Sequence, residues 1–314
     1  MPEDLTRAVE TVVRRCLAVR EGEEVVVVGD ASTADIATAL RDEAERAGAD
    51  ATLTLATARE IDGQEPSRAV AAALAAADVF IAPTSWSMSH TRARKAASEA
   101  GARGATMPGV TTDMLARLMA CDFDLMGERS HKVADLLSAA DEAHVTCPLG
   151  TDLRLRLTGR EAVPDDGLYT EAGAFGNLPC GEGFISPIGG DGVLFTSSLA
   201  KIGLPERPAR LVVSDGRLVA GEGPEGGELL ERLQAAGEQG TNLAELGVGT
   251  NERARLTGNI LEDEKMLGTV HVAFGASAGI GGTVSVPVHL DVLVLDATLT
   301  VGGTTVLDGG RFVL

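Results

Sequence analysis

Residues 24–30 read EVVVVGD. Four consecutive valines leave no polar face, so both sides of such a strand must be covered, as in a parallel sheet, and Gly-Asp ends the run. Working outward, helix and strand alternate. Residues 4–20 place Leu5, Val9, Val12, Val13 and Leu17 at helical spacing. Residues 33–47 predict a helix closed by Gly48, 52–56 a strand, 67–77 an Ala-rich helix and 78–83 (DVFIAP) a second buried strand. A helix over 91–100, a short strand near 105–108 and helices over 113–125 and 131–143 complete this half. The alternation predicts a parallel sheet covered by helices on both faces.

Near residues 144–148 the pattern changes. DLRLRLTG (152–159), GVLFTSSLA (192–200), ARLVVSDGRLVAG (209–221), GTVHVAFG (268–275) and VHLDVLVLDATLTVGG (288–303) alternate at strand period and are split by Gly, Asp and Pro. One helix, 225–236, interrupts them. SDGRLV (214–219) and LDGGRFVL (307–314) carry the Asp-Gly hairpin signal. The expected fold class is α/β: an N-terminal parallel-sheet α/β domain over residues 1–148, then a β-rich α+β or β-barrel-like domain over 149–314.

Composition narrows the partners. The 314 residues carry 27 Lys plus Arg against 46 Asp plus Glu, a net charge of −19 and a pI near 4.6. That field repels phosphate backbones and anionic membrane surfaces. Aromatic residues are 3%, too few for base-stacking platforms. No apolar run approaches the ~20 residues of a membrane helix, and the N-terminus has no apolar signal core. Four cysteines without a C-x-x-C pair fit a reducing compartment, so a cytoplasmic protein is expected.

Candidate chemistry gathers in the second half. His289 and Asp291 are two apart, on one face of a strand, where they suit a shared cation or an edge-strand surface equally. His271 lies in a second apolar strand. Glu182 sits between glycines in FGNLPCGEGF, and Glu245 precedes the Gly-rich turn of LAELGVGTN. Glu262, Asp263 and Glu264 of ILEDEK read as a charged turn or helix face. Together the two histidines, two glutamates and aspartate offer N and O ligands for one or two divalent cations, with Zn, Co or Mn suited to the mixture. His90 follows DVFIAP, at the strand end where α/β sheets bind ligands, with Ser89 a candidate helix cap and Trp86 nearby. His131 reads as a solvated helix start, His144 as an interfacial or buried strand residue, and Cys180 as a small apolar filler.

From about Gly150 onward the chain resembles the M29 metalloaminopeptidases of the aminopeptidase T and aminopeptidase S type. The segments that carry the likeness are GTDLRLRLTGR, FGNLPCGEGFISP, ELGVGTN, TGNILEDEKMLGTVHVAFG and VHLD, in that order. The resemblance implies a two-metal site held by Glu182, Glu245, His271, His289 and Asp291, with Glu182 or Glu264 as general base. It also implies a homodimer and release of N-terminal residues from small peptides by metal-activated water. The family's tyrosine after the first of these histidines has no counterpart in Phe274–Gly279, and His271 and His289 are separated by a short loop. The missing phenol counts against peptide hydrolysis by the family route, and the shortness points to relatives on the same fold, the 2,5-dihydroxypyridine 5,6-dioxygenases. Resemblance to those implies one Fe(II) held by His271, His289 and Asp291, His90 as a base, and a hydroxylated pyridine-like substrate. A non-catalytic relative of the same fold is the third expectation.

Overall fold

A computed structural model describes residues 3–314. The architecture is α/β, with parallel and antiparallel sheets and interspersed helices. Two compact units divide the chain. One runs up to Cys121 and includes Gly167–Cys180; the other comprises Asp122–Asp166 and Gly181–Leu314.

The first unit holds a five-stranded parallel sheet in the order Asp50–Leu55, Glu24–Gly29, Val79–Ala82, Arg103–Thr106, Phe175–Asn177. Val26, Val28, Phe80 and Ala82 pack with Val70, Leu74 and Ala97 of two helices. Val25 and Val27, on the opposite face, are buried as well. The valine run is therefore sealed on both sides, as its composition requires.

The second unit holds two antiparallel sheets. The eight-stranded one runs Arg217–Glu222, Ala209–Ser214, Gly189–Thr196, Asp152–Arg156, Glu142–Thr146, Thr298–Val301, Thr304–Asp308, Arg311–Phe312. The six-stranded one runs Ser198–Leu199, His289–Val294, Val270–Gly275, Leu243–Gly249, Glu182–Ile185, Val163–Asp165. Their apolar faces share one core, with Leu153, Leu155, Leu194 and Leu211 from the first and Leu246, Val248, Val272 and Val292 from the second. Asp215 and Gly216 take positive φ (47° and 70°) in the hairpin between Ala209–Ser214 and Arg217–Glu222, the conformation their Asp-Gly sequence favours.

Three local expectations are corrected. The first helix is α-helical only over Glu3–Glu10 and continues as a π-helix over Thr11–Cys16. The wider turn lets Val12, Val13, Cys16 and Leu17 all be buried. The helices expected over 113–125 and 131–143 are Thr112–Leu118 and Phe123–Ala139. Asp122 starts the second by accepting a hydrogen bond from the Leu125 amide, and the sequence from Glu142 is already a strand. The helix Arg92–Glu99 is capped by Thr91, which accepts from the Arg94 amide; Ser89 instead bonds Thr106 at 2.7 Å.

Candidate metal centre

Residues directly opposed across an antiparallel pair project to the same side of the sheet. Glu182 opposes Asp165 on one neighbour and Gly249 on the other. Gly247 opposes His271, and Glu245 opposes Ala273. Ala273 in turn opposes Asp291, and Gly275 opposes His289. Asp165, Glu182, Glu245, His271, His289 and Asp291 thus stand on one face of the six-stranded sheet. The alternate residues Ile185, Leu246, Val248, Val270, Val272, Leu290 and Val292 turn into the core. The same two-residue period that buries one side of each strand gathers the charges on the other. Phe184 and Leu293 also stand on this face, and Gly247 leaves room for the His271 ring to lie across it.

Glu245 links the two imidazoles. Its Oε1 is 3.3 Å from His271 Nε2 and its Oε2 3.2 Å from His289 Nε2. Glu182 Oε2 is 3.2 Å from His271 Nε2, and Asp291 Oδ1 is 3.6 Å from His289 Nε2. His289 Nδ1 donates to the Ala276 carbonyl at 2.7 Å, which leaves Nε2 aimed into the cluster. Two trios, Glu182–Glu245–His271 and Glu245–His289–Asp291, each bring one ligand atom per residue within 4.8 Å of one another. Glu182 Oε2 and His271 Nδ1 are buried and make no hydrogen bond. A buried carboxylate oxygen left unsatisfied beside imidazole nitrogens fits a divalent cation.

Charge coupling across this face is strong. Burial, more than any neighbour, pushes the Glu182 carboxyl up to about 7. Burial works the same way on Glu245, but hydrogen bonds from His271 and His289 outweigh it and hold that carboxyl well below the usual range. Burial opposes charge on His271, yet Glu182 and Glu245 raise it to about 9. His289 is likewise raised against burial, chiefly by Asp291.

The ILEDEK run divides by direction. Asp263 accepts from Thr257 and Gly258 amides and from Ser198 Oγ, and Glu262 from the Arg255 amide, so both hold loops. Glu264 and Lys265 turn to the cluster instead. Lys265, only 1% exposed, places Nζ 2.6 Å from Glu182 Oε1, 2.8 Å from Glu264 Oε1 and 3.9 Å from Asp165 Oδ2. Burial opposes its charge, but Glu182, Glu264 and Asp165 raise its pKa well above the usual value. Sequence reasoning named neither Lys265 nor Asp165.

The structure therefore brings together Glu182, Glu245, His271, His289 and Asp291, with Glu264 alongside through Lys265. His90 belongs to the first unit, exposed in the turn before Arg92–Glu99. His131 lies in mid-helix, paired with Asp166 at 3.0 Å, rather than at a helix start. His144 is a half-buried strand residue 2.6 Å from Asp152. Cys180 is buried, Trp86 half-buried, and no disulfide forms among the described residues. Among those residues no helix is long and apolar enough to cross a membrane.

Comparison with known proteins adds the following. A family model described as "NicX: 2,5-dihydroxypyridine 5,6-dioxygenase" matches residues 4–314. Among solved structures, 2,5-dihydroxypyridine dioxygenase from Pseudomonas putida superposes with a TM-score of 0.82 at 20% identity, covering 98% of this chain and 96% of that one. Wild-type AmpT from Thermus thermophilus superposes with a TM-score of 0.74 at 20% identity, covering 99% of both chains. At that identity both are likenesses of fold. No curated protein matches by sequence.

Proposed function

The chain belongs to the NicX 2,5-dihydroxypyridine 5,6-dioxygenase family, and from that premise we propose that it is a mononuclear Fe(II) dioxygenase that opens the ring of a hydroxylated, pyridine-like aromatic. The observation that carries this reading is a family match spanning nearly the whole chain together with a buried imidazole–carboxylate cluster. His271, His289 and Asp291 would hold the ion, with Glu245 between the imidazoles. Two histidines and a carboxylate leave coordination positions open. Ferrous iron bound there would supply the redox chemistry that lets O₂ react with an aromatic ring.

The chain's own residues set the conditions. The Ala276 carbonyl fixes the ring of His289 and directs Nε2 inward. Glu182 is held beside His271 Nε2 by one oxygen and bonded to Lys265 Nζ by the other, so a carboxyl stands fixed at the edge of the ion-holding group. Aminopeptidase chemistry, the first expectation from sequence, is supported by the AmpT likeness only as far as the fold. The deciding experiment is oxygen uptake by anaerobically reconstituted protein. With Fe(II) and 2,5-dihydroxypyridine, oxygen consumption should run in step with loss of the ring absorbance, and His289→Ala should abolish both. If hydroxylated pyridines drive no uptake while the Zn-, Co- or Mn-loaded protein releases N-terminal residues from short peptides, the peptidase reading replaces this one.

A further inference from the structure

The peptide unit between Ala276 and Ser277 is gripped from both ends. Its carbonyl accepts from His289 Nδ1 at 2.7 Å, and its N–H donates to the Val284 carbonyl at 2.8 Å. A peptide unit is planar, so a bond that fixes the N–H also fixes the direction of the C=O. His289 is therefore oriented by a turn, residues 277–284, to which it does not itself belong.

That turn closes on Ser277. The Ser277 carbonyl accepts from the amides of Ile280 and Gly282, at 3.0 and 2.9 Å. Its Oγ accepts from the Val284 amide at 3.2 Å, so Ser277 and Val284 are joined through main chain and side chain together. Ser277 is buried, although Ala278, Gly279, Gly281 and Thr283 around it are exposed. Gly282 lets the turn close. A Cβ there would overlap Ser277 Cβ and the hydroxyl oxygens of both Ser277 and Ser186, the buried residue that follows the strand Glu182–Ile185. Its φ lies outside the left-handed region, so space rather than backbone conformation demands the glycine.

We propose that Ser277 and Gly282 are positioning residues for His289: by closing the turn 277–284 they hold the Ala276 carbonyl on Nδ1 and commit Nε2 to the metal. The partner of the second ring nitrogen decides which nitrogen a histidine offers and where it points. Of the two imidazoles only His289 is supported in this way. His271 Nδ1 is buried without a hydrogen bond, and that ring takes its place over Gly247 instead.

The inference rests on the metal-dependent reading of the cluster, and its first readout needs no metal. The His289 Nδ1 proton, assigned by its loss in His289→Gln, is followed by NMR in metal-free protein. It should exchange slowly with solvent in wild type and in Thr283→Ala, whose side chain is exposed, and leave the slow regime in Gly282→Ala. Zn(II) affinity, measured by calorimetry, should fall about 10–100-fold in Gly282→Ala. It should fall by less in Ser277→Ala, which keeps the main-chain bonds, and stay unchanged in Thr283→Ala. A turn with a merely structural role would lower the urea midpoint and leave the Nδ1 proton protected. Wild-type proton exchange or wild-type Zn(II) affinity in folded Gly282→Ala overturns the inference and leaves the proposed function standing, as does an equal loss in Thr283→Ala. Should Gly282→Ala not fold, Ser277→Ala decides by the same two readouts, and wild-type values there overturn it. Protein that shows all the expected Zn(II) differences but no oxygen uptake with Fe(II) defeats the proposed function alone. No Zn(II) bound by wild type defeats both.

Discussion

At the scale of the residue, His271 depends on a missing side chain. Its ring lies over Gly247, directly opposite on the neighbouring strand, and a methyl group at that glycine would overlap Nε2 and Cε1. Gly247→Ala must displace the imidazole, although its own position is otherwise an ordinary buried strand site. Metal affinity should fall about 10–100-fold, the range seen when a ligand loses its supporting contacts. Calorimetric Mn(II) titration of folded variant and wild type checks this, and equal affinities would show that the ring does not need its place over the glycine. His289 and Asp291 are legible in sequence because strand period assigns them to one face. Glu182 and Glu245 read as a turn residue and a pre-turn residue, enter the set only through the family resemblance, and lie in the strands Glu182–Ile185 and Leu243–Gly249. Lys265 is not legible at all. Within ILEDEK it resembles any charge in a solvated turn, and its burial depends on Glu182, which lies 83 positions away along the chain.

At the scale of the element, strands read more truly than helix ends. The valine run and the alternating segments of the second half fold as strands because burial on two faces or on one leaves a direct imprint on residue order. Helix boundaries depend on single caps, such as Asp122, that a periodic apolar pattern runs straight through. The strand Arg103–Thr106 shows a third case, a buried arginine at a strand start. Its guanidinium donates to Glu23 through two nitrogens, at 2.9 and 2.7 Å, and to the Leu17 and Ala18 carbonyls. Burial works against charge on Glu23, but hydrogen bonds from Arg103 and the Arg20 amide hold its carboxyl below the ordinary 4.5. A carboxyl lowered on folding contributes stability above its unfolded pKa and loses it as pH falls through the folded one. Glu23→Gln should therefore cost about 1–3 kcal/mol at neutral pH, as a charged hydrogen bond lost inside the protein does. The gap from wild type should close on acidification below that range. Urea unfolding at both pH values measures it, and a gap that persists in acid would show that the ion pair is not its source.

At the scale of the whole molecule, the net charge of −19 has one concentrated expression. Asp165, Glu182, Glu245, Glu264 and Asp291 belong to a single cluster whose permanent cation is Lys265. The remaining balance falls to the two imidazoles when protonated, or to a metal ion. A ligand that binds only the folded chain stabilises it by about 2.7 kcal/mol when present at a hundred times its dissociation constant. For a chain of this size that is a rise of about 4 °C in thermal midpoint. Mn(II) should produce such a rise relative to chelator, and Asp291→Ala should abolish most of it, since its carboxylate is one of the ligand atoms gathered around His289. The acidic surface, which binds cations weakly and without geometry, would remain intact in that variant, so a rise of the same size in Asp291→Ala would assign the effect to general charge screening. Equal midpoints for wild type in chelator and in Mn(II) would mean that the face, although built from the right groups, is satisfied by its own protons and by Lys265.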